Sequence, residues 1–185
     1  MSQFEYISIP VSLILTFAVA RYLSGFPYLF SGKHTYWVHT LWCIQAVLNC
    51  VLFWWVFWNA RDVATWTLGS YLLTLAYPGL IYSAATVLMP SDATPETDWH
   101  EYYFGARKQI FSLIALGTSV QVLTAIVIYE LPVVSLPSFL GSGFIGLYLV
   151  ALVSKNETVH RAIVLANAAA VVVAYAPSIY TPFDS

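Results

Sequence analysis

The sequence predicts an all-α protein, a polytopic membrane bundle of six transmembrane helices that forms a single domain over residues 1–185. Two observations predict this fold class. Hydrophobic residues make up 59% of the chain and charged residues only 9%, whereas an average soluble domain is about 25% charged. The apolar residues also fall in continuous runs of about 20, the length that a helix needs to cross a bilayer. A membrane β-barrel would instead show alternating segments of about ten residues.

Six runs reach this length. They cover about residues 4–23, 35–58, 66–89, 108–129, 133–153 and 159–180. Six spans divide into two groups of three, and an odd number inverts the second group relative to the first. A short similarity between residues 76–82 and 174–180 agrees with this. The sequence therefore allows two inverted three-helix halves.

The basic residues predict the orientation, because Lys and Arg are enriched in cytoplasmic loops. Arg61 alone lies between the second and third spans. The other six lie in or beside the first, third and fifth loops: Arg21, Lys33, Arg107, Lys108, Lys155 and Arg161. We therefore expect these three loops in the cytoplasm and both termini outside, in an integral protein of a bacterial inner membrane.

Charge and motifs exclude several function classes. A pI near 6.0 and seven basic residues provide no basic patch, so no nucleic-acid partner is expected. The chain has no HExxH zinc motif and no phosphate-binding loop. Its spans hold no acidic residue at mid-depth, which argues against a carboxylate proton relay. The sequence gives no indication of an enzyme.

Four amide side chains form the candidate substrate-binding site. Gln45 and Asn49 share one face of the second span because they are four residues apart. Gln121 lies in the fourth span and Asn167 in the sixth, at comparable depths. Unsatisfied amides are costly in hydrocarbon, so all four should face the bundle interior. They predict either a polar site near the midplane or interhelical hydrogen bonds, worth about 0.6 kcal/mol each.

A second group of polar residues lies at the predicted inner ends of the spans, and we name it the cytoplasmic polar cluster. Its members are Arg21, His39, His100, Arg107, His160 and Arg161. Two of its histidines are candidate axial ligands for haem. The alternative is a set of interfacial histidines that meet water and headgroups. No pair has a recognised ligand spacing, so we expect no metal site and no cofactor, with haem as the alternative.

Two further patterns indicate contacts with the membrane or with a partner. An outer aromatic belt is predicted at the opposite ends of the second and third spans, formed by Trp54, Trp55, Trp58 and Trp66. Such rings anchor a protein at the interface, or they form a cage for a cation or lipid headgroup. The sixth span carries a small-residue stripe, Ala162, Ala166, Ala170 and Ala174. Small residues allow close helix packing, here against another span or a second copy in a homo-oligomer.

These features support three functional hypotheses. The first is a transporter or channel for a small solute, based on the four amides and the inverted halves. The second is a non-catalytic membrane subunit or sensor that binds lipid or partner proteins through the aromatic belt and the alanine stripe. The third is a haem-binding redox protein that uses two of the histidines.

Overall fold

The computed structural model describes residues 2–31 and 34–176, apart from the side chains of residues 31 and 136–139. This part of the chain forms six α-helices and one short 3-10 turn, and it contains no strand. The helices are α1 (Gln3–Ser31), α2 (Trp37–Phe57), α3 (Leu68–Leu88), α4 (Trp99–Val127), α5 (Leu136–Val153) and α6 (Glu157–Tyr175). The predicted all-α class is confirmed.

Five segments in the described part of the chain are long and apolar enough to cross a membrane. They are Gln3–Phe30, Trp37–Asp62, Leu68–Leu88, Trp99–Val127 and Glu157–Tyr175. In α5, the apolar segment Leu140–Val153 is shorter. The helices are therefore consistent with an integral membrane protein.

Two helix boundaries differ from the predicted spans. Helix α1 continues past residue 23 to Ser31, and α4 begins at Trp99 rather than near residue 108. The carboxylate of Asp98 caps α4 by accepting hydrogen bonds from the backbone N–H groups of His100 and Glu101, both at 3.0 Å. Hydropathy marks where a chain can lie in hydrocarbon, whereas capping marks where a helix begins. The predicted end of the sixth span, residues 177–180, lies outside the described residues.

The helix contacts close into a ring. Successive neighbours are α1, α3, α4, α5, α6 and α2, and α2 returns to α1. Helix α2 also contacts α3 and α4, so it leans toward the middle of the ring. Helix α1 packs against α3, but among the described residues α4 and α6 form no comparable pair. The packing therefore gives no support to two inverted halves, in which these two pairs would correspond.

Candidate functional site

A cavity of about 400 Å³ lies inside the ring, and all six helices contribute to its wall. The four amides predicted from the sequence all line it: Gln45, Asn49, Gln121 and Asn167. They come from α2, α4 and α6. The structure therefore places the four side chains around one space.

A chain of hydrogen bonds crosses one wall of the cavity. The hydroxyl of Tyr148 donates to Asn167 Oδ1, and Asn167 Nδ2 donates to Gln45 Oε1 at 2.6 Å. Gln45 Nε2 then donates to the carbonyl oxygen of Val164 at 3.3 Å. The chain links α5, α6 and α2. Gln45 and Asn167 therefore join helices, as the interhelical hydrogen-bond interpretation requires.

Asn49 is held separately, by a tyrosine of α3. Asn49 Nδ2 donates to the Tyr77 hydroxyl at 2.9 Å, and that hydroxyl lies 3.3 Å from Asn49 Oδ1, to which it donates. The Tyr77 ring is buried and packs near Gly117 of α4, where an added Cβ would lie 3.4 Å from the ring. This pair therefore fixes one side of the cavity where α2, α3 and α4 meet.

Gln121 and Tyr22 differ from the three hydrogen-bonded amides of the wall. Gln121 is half-buried, and Tyr22 is only 1% exposed. Both line the cavity, and neither side chain makes a hydrogen bond to another described residue. Buried polar groups in proteins nearly always have a partner, which is often a ligand or an ordered water. These two side chains are therefore available to a bound molecule.

The remaining wall is aliphatic and aromatic. Among the described residues, no Asp, Glu, Lys, Arg or His lines the cavity. The aromatic lining residues are Tyr22, Trp42, Tyr77, Phe144, Tyr148 and Tyr175. These tyrosines were not among the site residues predicted from the sequence. Their positions could have identified two of them, because Tyr77 and Tyr148 lie inside apolar segments, away from the helix ends where interfacial tyrosines are enriched.

Two members of the cytoplasmic polar cluster have a structural role at the end of α3. Arg21 Nε donates to the carbonyl oxygen of Met89 at 2.7 Å. His39 Nε2 lies 3.0 Å from the carbonyl oxygen of Leu88 and donates to it. The Tyr102 hydroxyl donates to the preceding carbonyl, that of Val87. The last carbonyls of a helix have no partner within it, so side chains from α1, α2 and α4 satisfy the end of α3.

The other members lie where α4 and α6 begin. Glu157 accepts from Arg161 at 3.0 Å and lies 3.6 Å from His100. Arg107 donates to the carbonyl oxygen of Phe104, one turn earlier, at 2.7 Å. Near this site, burial and the carboxylate of Glu157 raise the pKa of Tyr36 to about 12. The predicted cluster thus divides into a group that caps α3 and a group that joins α4 to α6.

The two buried histidines are both held by the protein. His160 Nε2 donates to the carbonyl oxygen of Ser154 at 3.1 Å, so Nδ1 accepts from the Tyr103 hydroxyl at 2.8 Å. His39 uses Nε2 on Leu88 and stacks on Trp99 at 4.8 Å between ring centroids. Among the described residues no three His, Cys, Asp or Glu side chains are grouped to hold a metal ion. These hydrogen bonds do not favour haem ligation.

The predicted belt and stripe both reach the surface. Trp54 and Trp58 are 44% and 39% exposed, while Trp55 and Trp66 are half-buried. The Arg61 guanidinium lies 4.7 Å from the centre of the Trp58 ring. On α6, three stripe residues are exposed and one is half-buried: Ala162, Ala166 and Ala174, then Ala170. The last two of the stripe, Ala170 and Ala174, also line the cavity.

Comparisons with protein-family models, with curated proteins and with solved structures find no match. The class of the protein therefore follows from its helices and its cavity. It is an all-helical protein with several helices long and apolar enough to span a membrane, arranged around an uncharged cavity.

Proposed function

We propose that the protein is an integral membrane transporter or channel for a small uncharged solute, with the six-helix cavity as its binding site. The observation that carries the proposal is that Gln121 lines the cavity and has no hydrogen-bond partner among the described residues. A charged solute would lose its hydration without gaining a counter-ion, which is costly in an apolar environment. A cavity of about 400 Å³ falls within the roughly 300–1,000 Å³ of known ligand sites.

The groups of the wall divide into two roles in this proposal. Gln121 and Tyr22 contact the solute, since both line the cavity without partners. Gln45, Asn49 and Asn167 hold the helices and offer the solute their remaining N–H groups, since each amide nitrogen has two. The aromatic rings supply apolar contact. The two interpretations of the amides therefore apply to different residues of the same wall.

Solute flux in liposomes tests this function. Purified protein is reconstituted, and the uptake of glycerol, urea and xylitol is followed by stopped-flow light scattering. We expect faster uptake of at least one probe than in protein-free liposomes, and loss of that gain in Gln121→Ala. Thr124→Val is the matched control, because Thr124 lies on α4, outside the cavity lining, and bonds only to the carbonyl oxygen of Val120. Uptake equal to that of empty liposomes for all three probes would refute the function.

We also propose that α5 crosses the membrane like the other five helices, and that both termini lie outside, with loops one, three and five in the cytoplasm of a bacterial cell. The support is the distribution of Lys and Arg along the sequence. Cysteines introduced at Ala64 and at Thr94, both exposed, test it in a chain whose native cysteines are replaced by alanine. A membrane-impermeant maleimide should label Ala64→Cys in intact cells and Thr94→Cys only after permeabilisation. The reverse pattern would contradict the orientation.

A second functional proposal is a non-catalytic subunit or sensor that binds lipid or a partner, including a second copy of the chain. It is favoured by α6, which has the smallest buried share of the five candidate spans and exposes Ala162 and Ala166. Ala162→Phe should then dissociate a homo-oligomer seen by light scattering in detergent. A monomeric wild-type protein with solute flux would leave the first proposal alone.

A further inference from the structure

A second, smaller cavity lies where α3 ends against α1. Its volume is about 210 Å³. It is lined by Arg21, Ser24, Gly25 and Tyr28 of α1 and by Met89, Pro90 and Ser91 after α3. In the described part of the chain, this lining contains one cation, Arg21, and no acidic residue. This cavity therefore carries a positive charge, unlike the central cavity.

The Met89 carbonyl fixes the orientation of the Arg21 guanidinium. Arg21 Nε donates to that oxygen at 2.7 Å, which uses one of the five N–H donors of an arginine. The terminal nitrogens make no hydrogen bond or ion pair to any other described residue. Asp92, next to Ser91 in the chain, is exposed and forms no ion pair with Arg21 in the described structure. A charged fork of N–H groups is thus held beside the cavity without a protein anion.

The hydroxyl groups of the same cavity extend this donor set. Ser24 Oγ donates to the carbonyl oxygen of Arg21 at 2.9 Å, so its hydroxyl proton is already used. The hydroxyls of Tyr28 and Ser91 have no partner among the described residues. An oxyanion in the cavity would therefore meet the guanidinium and two free hydroxyl donors. Arginine with hydroxyl donors is a typical combination for a phosphate group.

The position along α1 sets the depth of this cavity. Arg21 follows Glu5 by 16 residues, which corresponds to about 24 Å of helical rise. The hydrocarbon core of a bilayer is about 30 Å thick, so a chain that spans it with Glu5 at one surface has Arg21 near the other. Phe17, four residues before Arg21 and on the same face of α1, is 55% exposed. This apolar surface beside the cavity suits acyl chains.

We propose that this cavity binds the phosphodiester group of an anionic glycerophospholipid, with Arg21, Tyr28 and Ser91 as donors. The guanidinium pairs with the phosphate, the two hydroxyls donate to its oxygens, and the acyl chains lie along the exposed face of α1. This lipid site is separate from the solute site and does not depend on it.

Native mass spectrometry of the full chain in detergent tests the proposal with two lipids of identical acyl chains. Phosphatidylglycerol carries the phosphate, and diacylglycerol lacks it. We expect phosphatidylglycerol to be retained about tenfold better, because hydrogen bonds between a guanidinium and a phosphate are stronger than those between neutral groups. Arg21→Gln should abolish the preference. Arg61→Gln, a matched loss of one cation at the opposite end of the bundle, should keep it.

The double variant Tyr28→Phe/Ser91→Ala keeps the test decisive if Arg21→Gln fails to fold, because it leaves the bond from Arg21 to Met89 intact. We expect it to reduce the preference several-fold. Equal retention of the two lipids by the wild type would overturn the site, and so would an unchanged preference in the double variant. Displacement of the lipid by millimolar inorganic phosphate, with Arg21-dependent stabilisation of the lipid-free protein, would assign the cavity to free phosphate instead.

Discussion

Asn167 Nδ2 lies 2.6 Å from Gln45 Oε1, although the two residues are 122 positions apart in the chain. This bond joins α6 to α2 across the edge of the central cavity. Among the described residues, α6 packs mainly against α2 and α5. Few apolar contacts therefore hold α6, and the amide pair is a substantial part of its attachment.

The first prediction concerns this pair. A double-mutant cycle with Gln45→Ala and Asn167→Ala should give a coupling free energy of about 0.6 kcal/mol, with about 1.7 kcal/mol as the upper range for such bonds in membrane proteins. Reversible unfolding in mixed micelles measures it. Asn49→Ala combined with Asn167→Ala is the control, because these residues share the cavity but no hydrogen bond, and it should be additive. Additivity in the first cycle would contradict the bond.

The second prediction concerns two glycines of α5. A Cβ added at Gly141 would lie 2.6 Å from Val122 Cγ2 of α4, whereas a Cβ at Gly143 would meet nothing within 4 Å. Gly141→Ala should therefore lower the free energy of unfolding by about 1–3 kcal/mol through overpacking. Gly143→Ala should leave it unchanged or raise it by up to about 1 kcal/mol, because alanine favours the helix. Equal effects at the two sites would contradict the close approach of α4 and α5.

The third prediction tests the capped end of α3. Tyr102→Phe removes the hydroxyl that donates to Val87 and leaves the ring in place. The expected loss is about 1 kcal/mol of stability, as for an ordinary hydrogen bond. Tyr82→Phe is the matched control, because Tyr82 is 42% exposed and its hydroxyl has no described partner. Thermal unfolding in detergent should show a lower Tm for Tyr102→Phe than for the control.

The fourth prediction follows from the cap of α4. The pKa of Asp98 lies below its ordinary value. The main cause is the hydrogen bond from the backbone N–H of Glu101, and the N–H of His100 and the nearby imidazoles of His34 and His100 lower the pKa further. A carboxyl whose pKa is lower in the folded state adds stability above its unfolded pKa, near 3.9. That stability is lost as the pH falls through the lowered folded pKa.

Two substitutions separate charge from capping at this position. Asp98→Asn should keep the cap and remove the part of the acid sensitivity below about pH 4 that Asp98 contributes, because asparagine caps helices as well as aspartate does. Asp98→Ala should lose about 1 kcal/mol at neutral pH. Unfolding measured from pH 7 to pH 3 checks both. The same pH profile in wild type and Asp98→Asn would contradict the role of the charge.

The placement of the four amides around one space could be predicted from the sequence because the surrounding residues are almost all apolar. An amide in such a helix is costly unless it faces the bundle interior. Helical periodicity then indicates which other residues share that face. The tyrosine partners could not be predicted in the same way. Tyr77 and Tyr148 belong to a residue type that also anchors membrane surfaces, and their depth was the only distinguishing signal.

The roles of Arg21 and His39 were beyond the sequence for a different reason. Both donate to the end of α3, and this depends on which helices are neighbours. Ring order is set by packing between distant segments, which local periodicity does not report. The early start of α4 follows from the cap at Asp98, whose carboxylate accepts from the N–H groups of His100 and Glu101.

The order of the helices in the ring also bears on how the protein is made. Helix α2 is synthesised early, but one of its ring neighbours is α6, which follows the five other helices in the chain. Until α6 emerges from the ribosome, Gln45 lacks both Asn167 and the Val164 carbonyl oxygen as partners. A nascent chain that is inserted helix by helix therefore lacks both of these partners for the amide in α2 until α6 is inserted, and α6 then completes this wall of the cavity.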